Sequence, residues 1–254
     1  MIYKANTGQD IYGAPIGIVV MDCLIPYPPG TPGNARTFDH PVIYEVVRGA
    51  TMENLIYDPK PDLVDRFIDA GKRLVQQGAK TVIGNCGFMV LFQREMAAAL
   101  PVPVFMSSLL QLPLIRHGMK PEQSIGIISS TGASLTPRHM EIACWGGHVP
   151  VTIRGLEDKP AFKAAIHDQV GSLDFPAVEA EVVETALAIQ AAHPATGAIL
   201  LECTDLPPYA EAVQNATGLP VYDITSMIAW GLAGAERKHF SHKGYESNEA
   251  HHRA

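Results

Sequence analysis

Charge is scarce in this sequence: Asp, Glu, Lys and Arg make up 18% of its 254 residues, and acids outnumber bases 26 to 19. The net charge of −7 and the lack of any Lys/Arg run exclude the basic footprint of a nucleic-acid binder. The same lack argues against docking on an anionic membrane. Apolar runs are short, and none reaches the roughly 18 residues of a membrane-spanning helix. The opening MIYKANTGQDIYGAP has no cationic stretch leading into an apolar one, so no secretory leader is expected. Cysteine is rare too. Cys23, Cys86, Cys144 and Cys203 form no CxxC pair and no Cys/His cluster at zinc-ligand spacing. Such scattered thiols are expected to be free, and neither a metal nor a cofactor is expected. The 47% hydrophobic content is globular, and the length suits one to two domains. The expectation is a soluble, cytoplasmic α/β protein.

The chain is written twice. Pro15-Ile16-Gly17-Ile18-Val19-Val20 reads as a buried strand, and so does Ser124-Ile125-Gly126-Ile127-Ile128-Ser129. A second match is stronger. Thr81-Val82-Ile83-Gly84-Asn85-Cys86-Gly87 and Ala198-Ile199-Leu200-Leu201-Glu202-Cys203-Thr204 are both strands ending in a cysteine. Seventeen residues after each cysteine comes a Pro-Val strand, at Pro103 and at Pro220, so both pairs share the offset 203 − 86 = 220 − 103 = 117. A helix is expected over 61–78, with Leu63, Val64, Phe67, Ile68, Leu74 and Val75 on one face. Another is expected over 175–193, with Val178, Val182, Val183, Ala186, Leu187 and Gln190 at the same spacing. Alternating strands and helices predict parallel sheets covered on both faces. The fold expected is α/β, with two similar lobes related by a pseudo-twofold and a site between them. Residues 1–118 would form the first lobe, with the C-terminal segment as a candidate to pack on it. Residues 119–235 would form the second, and 236–254 a polar tail.

Ligands of parallel α/β sheets bind beyond the carboxyl ends of the strands. Cys86 and Cys203 sit at that edge, one per lobe, each ahead of a helix whose N-terminus would favour the thiolate. Two opposed thiols suit proton removal at a carbon next to a carboxylate, with a proton returned on the other face. A lone cysteine at a strand end is usually a small buried hydrophobe. Two at one register of a repeated module are harder to dismiss, whereas Cys23 and Cys144 have no such partner.

The Gly84-Asn85-Cys86-Gly87 and Glu202-Cys203-Thr204-Asp205-Leu206-Pro207 elements resemble the paired motifs of the aspartate/glutamate racemase superfamily. The resemblance spans nearly the whole chain. It implies a cofactor-independent enzyme with Cys86 and Cys203 as facing acid/base groups. It also implies contacts to a small carboxylate substrate from Asn85, Gly87, Phe88, Thr204 and Asp205. The chain departs from the racemases after the first cysteine, where they carry Asn-Thr and it has Gly87-Phe88. After the second cysteine they often carry Thr-His, and here it is Thr204-Asp205. The segment 28–42, PPGTPGNARTFDHPV, is similar to one in the branch that includes the algal-type dimethylsulfoniopropionate lyases. Those follow α-proton abstraction with loss of a β-leaving group. Arylmalonate decarboxylases carry only one of the two cysteines, so retention of both argues against that chemistry.

Further candidates follow the first strand of each lobe. Asp22 would orient an amine or activate a thiol, or simply cap a loop. Ser130 and Thr131, with Ser129 and Gly132, would donate to a carboxylate, or cap a helix. Arg36 and the Gly30–Asn34 loop offer a carboxylate partner and a lid, or a solvated side chain and a rigid turn. Tyr209 would line the cleft or pack in the core. The leading expectation is an isomerase, a two-base racemase or epimerase, with a lyase on the same site as runner-up. A non-catalytic carboxylate binder and a Cys/His hydrolase using His117, His139 or His148 are the rivals. A homo-oligomer is the ordinary expectation for such a fold.

Overall fold

The computed structural model describes residues 2–7, 9 and 11–237. Two four-stranded sheets, each wholly parallel, carry the fold. The first contains β1 (Ile16–Met21), β2 (Val42–Val47), β3 (Thr81–Gly84) and β4 (Val104–Phe105), in the order β2-β1-β3-β4. The second contains β5 (Ser124–Ser129), β6 (Val151–Gly155), β7 (Thr196–Leu201) and β8 (Val221–Tyr222), in the matching order β6-β5-β7-β8. Ile16 pairs with Val42 and Ile125 with Val151, so this part of the repeat runs at 125 − 16 = 151 − 42 = 109. The β-branched runs of β1 and β5 suit central strands buried on both faces.

The helices are α1 (Leu63–Gln76), α2 (Gln93–Ala99), α3 (Leu112–His117), α4 (Pro137–Ala143), α5 (Pro160–Phe162), α6 (Phe175–Ala192), α7 (Ala210–Thr217) and α8 (Ile224–Ala235). α1 buries Leu63, Phe67, Ala70, Gly71 and Leu74 against the first sheet. α6 starts at Asp174, whose side chain accepts from the Ala177 N–H, and buries Val178, Val182, Ala186 and Ile189. Leu187, expected on the packed face of α6, is 41% exposed instead. The apolar stripe turns inward at Ile189, which closes on the second sheet. Gly17 and Gly126 are equivalent by the 109 offset, and each lets a helix approach its central strand. A Cβ on Gly17 would stand 2.9 Å from the Leu74 side chain, and one on Gly126 would stand 2.8 Å from Ile189.

The last helix of each half contacts the other half's sheet. α3 meets β5. α8 returns to the first sheet, where Ile224, Met227 and Ile228 share a cluster with Ile16, Ile18, Val20 and Ile83. Gln111, next to the start of α3, donates to the Asp223 carbonyl at 2.8 Å and accepts from Ser226 Oγ at 2.8 Å, tying the two crossings together. Of the expected polar tail, 238–254 lie outside the described residues. Glu236 receives Lys80 Nζ at 2.6 Å.

Candidate active site

Each cysteine follows a central strand into a tight turn. The Asn85 N–H bonds the Val19 carbonyl at 3.0 Å, and the Glu202 N–H bonds Ile128 at 2.8 Å, which extends both sheets by one residue. The chain then folds back: the Cys86 carbonyl accepts from the Met89 N–H at 3.0 Å, and the Cys203 carbonyl from the Leu206 N–H at 3.2 Å. Short turns, Gly87–Phe92 and Pro207–Tyr209, lead into α2 and α7. The two halves are stitched here. Thr204 Oγ1 donates to the Asn85 carbonyl, and Ser108 Oγ donates to the Leu201 carbonyl at 3.0 Å.

Both thiols line one small cavity. Eight of the residues singled out in the sequence meet there: Asn85, Cys86, Gly87, Phe88, Ser130, Cys203, Thr204 and Asp205. Asp22 and Thr131 do not line it. Asp22 accepts from the Gly49 N–H at 2.9 Å and from Arg48 at 3.1 Å, so it ties down the loop after β2. Thr131 Oγ1 donates to Ser134 at 3.4 Å. Arg36 is exposed. The Gly30–Asn34 loop is a rigid brace: Asn34 donates to the Tyr27 carbonyl at 2.7 Å, and Gly33 packs on the Tyr27 ring. Tyr209 is buried against Phe175, with ring centroids 4.7 Å apart.

Seven further lining residues were not singled out as site residues: Met21, Ile25, Tyr27, Met52, Ile56, Ile166 and Glu202. Tyr27 is the anchor of its loop, with its hydroxyl 3.1 Å from Cys23 Sγ and 3.3 Å from Asn85 Nδ2. Ile56 and Ile166 sit in matching π turns, Glu53–Tyr57 and Lys163–His167, one per lobe. The sequence carried a signal for them. Leu55-Ile56-Tyr57-Asp58 and Ala165-Ile166-His167-Asp168 are a further pass of the repeat, 110 residues apart.

Burial governs the electrostatics. Both thiols are pushed well above the ordinary cysteine value, first by desolvation. The Glu202 charge adds to this at Cys86, and the Asp205 and Glu202 charges add to it at Cys203. The Phe88 and Asp205 backbone N–H groups oppose it without winning. This corrects the expectation that the turns would favour thiolates: short turns offer little dipole against full desolvation. Asp205 is raised to about 6, again by burial, with its Oδ2 3.6 Å from Cys203 Sγ. Glu202 is raised to about 7 by burial, although Ser129 Oγ donates to its Oε2 at 2.7 Å. Among the described residues, no Lys, Arg or His lines the cavity. His139 instead closes the capping box of α4 and lies edge-on to Phe88, and burial lowers it to about 4. His117 and His148 are exposed. Among the described residues, no group of three potential ligands is placed to hold a metal, and no helix is long and apolar enough to cross a membrane.

Solved structures share this architecture. An arylmalonate decarboxylase superposes with a TM-score of 0.57 at 18% identity, covering 91% of this chain and 96% of its own. An aspartate racemase homologue from Pyrococcus horikoshii gives 0.53 at 15% identity, covering 85% and 98%. The protein therefore has the two-lobed racemase fold. No family model matches it. Sequence relatives are closer. A dimethylsulfoniopropionate lyase of Durusdinium sp. clade D is 35% identical over 230 residues, 87% of this chain and 75% of the relative. Dimethylsulfoniopropionate lyase 3 of Emiliania huxleyi is 37% identical over 217 residues, 82% of this chain and 56% of the relative. The chain belongs to the dimethylsulfoniopropionate lyase family, the branch that its 28–42 segment resembled. It spans between about half and three quarters of these relatives' lengths.

Proposed function

We propose that the protein is a lyase that removes the α-proton of a carboxylate bearing a sulfonium on its β-carbon. For dimethylsulfoniopropionate, the compound in its relatives' names, the step balances. A thiolate Sγ takes the α-proton and becomes a thiol. The C–H electron pair forms the double bond of acrylate. The C–S pair leaves with dimethyl sulfide, and the thiol later returns its proton to water.

The charge of the cavity carries this reading. It holds two thiols and two carboxyls, with no cationic side chain among its described lining residues. A dicarboxylate would meet no fixed positive charge there. A sulfonium substrate brings its own, and a cation next to a thiol lowers the pKa that burial has raised. The site would then ionise its base only when loaded. Cys86 is the base in this reading. Each thiol has one backbone N–H in its favour, but Cys203 also has the Asp205 carboxyl bonded to it, which holds the proton on sulfur.

That both thiols line one cavity favours a second reading, two-base racemisation. A Cys/His hydrolase finds no histidine on the described cavity wall. The test is to incubate the purified protein with dimethylsulfoniopropionate in deuterated water. Release of dimethyl sulfide with acrylate supports the lyase. Intact substrate, with α-hydrogen exchange and inversion in a chiral carboxylate, would favour the racemase.

A further inference from the structure

Glu202 has no task in the elimination described above, yet its placement is unusual. It has no exposed surface, and it stands on the cavity wall beside Cys203. Its Oε2 accepts from Ser129 Oγ at 2.7 Å, while its Oε1 is buried without a hydrogen-bond partner. A Cβ built on Gly87 would lie 1.9 Å from Oε1. The carboxyl from one lobe therefore fills the volume that a side chain after Cys86 would take in the other. The titratable groups around it are Cys86 across the cleft and Cys203 and Asp205 on its own loop, with Cys23 and Tyr27 beyond them. His167 is turned away from it, holding the Ser130 carbonyl at 2.9 Å. None of these neighbours supplies a positive charge, and a buried anion without one is costly. Ser129 Oγ donates to Oε2 and the Ser130 N–H also favours the carboxylate form, while Oε1 has no partner, so a neutral Glu202 with its proton on Oε1 is a donor without an acceptor.

We infer that Glu202 acts as a carboxylic acid and donates from Oε1 to the carboxylate of the bound substrate. This rests on the site holding a carboxylate, as proposed above. The proton stays on Glu202 throughout. Its hydrogen bond strengthens as negative charge spreads onto the substrate carboxylate during α-proton loss, which is where a fixed donor in a dry site counts most. Gly87 is the matching space: a side chain there would meet the acid and, at 2.5 Å, the Glu202 main-chain carbonyl oxygen as well.

The test uses propionate as a probe of carboxylate binding, read as protection of the cavity thiols from iodoacetamide. In the native protein, half-protection is expected to need rising propionate concentrations above pH about 7, as Glu202 ionises. E202Q keeps an N–H donor and cannot ionise, so its binding is expected to stay level there, while the Asp205 break near pH 6 remains. E202L, with no donor, is expected to bind propionate at least 10-fold more weakly at pH 6 and to lose 10²–10³-fold in kcat on dimethylsulfoniopropionate. Binding in E202Q as weak as in E202L, or a break near pH 7 that persists in E202Q, overturns the inference. Should E202Q not fold, S129A decides: loss of the Ser129 hydrogen bond, which lowers the Glu202 pKa, must move the break to higher pH. An unmoved break refutes the role. If the native protein binds propionate in this way but releases no dimethyl sulfide, the lyase reading fails and the Glu202 inference stands. If it releases dimethyl sulfide without this propionate behaviour, the reverse holds.

Discussion

Tyr57 and His167 occupy the same place in the two π turns, and they hydrogen-bond each other across the cleft, Oη to Nδ1. The neighbouring Ile56 and Ile166 reach the cavity, so this bond lies next to its wall and clasps the lobes there. The far ring nitrogen of His167 is held by the Ser130 carbonyl at 2.9 Å, which fixes the ring. Burial lowers the His167 pKa, so the clasp is between neutral groups at neutral pH.

Tyr57→Phe removes one hydrogen bond from the closed arrangement and little else. At roughly 0.5–1.5 kcal/mol per bond, opening should become about 2- to 12-fold more frequent. Alkylation of Cys86 and Cys203 by iodoacetamide at fixed pH is expected to accelerate by that factor. An unchanged rate would mean the clasp does not govern access.

The thiols should respond unequally. With Cys86 as base, Cys86→Ser is expected to reduce kcat on dimethylsulfoniopropionate by about 10²–10⁴-fold, the usual worth of a general base. Cys203→Ser is expected to be milder, because its sulfur keeps its proton beside Asp205. The opposite ranking would move the base to Cys203.

Glu202 links the site to stability. Its pKa rises from 4.5 in the unfolded chain to about 7 in the folded one. The folded state therefore holds the proton more tightly, and stability declines as pH rises between those values. Glu202→Gln abolishes this decline. The difference in urea-unfolding free energy between E202Q and the native protein should shift toward E202Q by up to about 3 kcal/mol from pH 4.5 to 7.5. A difference constant with pH would show that the acid is not perturbed.

Gly87→Ala places a methyl group 1.9 Å from Glu202 Oε1 and 2.5 Å from the Glu202 main-chain oxygen, of which only the first contact is lost in Glu202→Ala. It is expected to cost about 1–3 kcal/mol as an overpacked contact. Glu202→Ala in the same chain should restore part of that loss, giving a coupling energy of about 1 kcal/mol or more by a double-mutant cycle. Strict additivity would separate the two positions.

α8 closes the first sheet from the far end of the chain. Ile228 is 2% exposed, within the cluster on β1 and β3. Ile228→Ala should cost about 2–5 kcal/mol in chemical denaturation. A loss below 1 kcal/mol would mean that the helix does not form part of the core.

The sequence by itself determined the doubled α/β plan, because strand content and spacing are local: β-branched runs and helical periodicity repeat at fixed offsets. It also placed Asn85, Cys86, Cys203 and Asp205 at strand ends, where a parallel sheet presents its ligands. Tertiary structure decided what those residues feel. The thiols were expected to be thiolate-prone from the turn dipole, yet burial, which depends on both lobes at once, overrides it. Asp22 stands one residue beyond β1 and still leaves the site, because Arg48 and the Gly49 N–H claim it. Tyr27 and the Glu202–Gly87 fit arise from contacts between segments tens to over a hundred residues apart. Only the folded chain could bring an acid from one lobe into the space left by a glycine in the other.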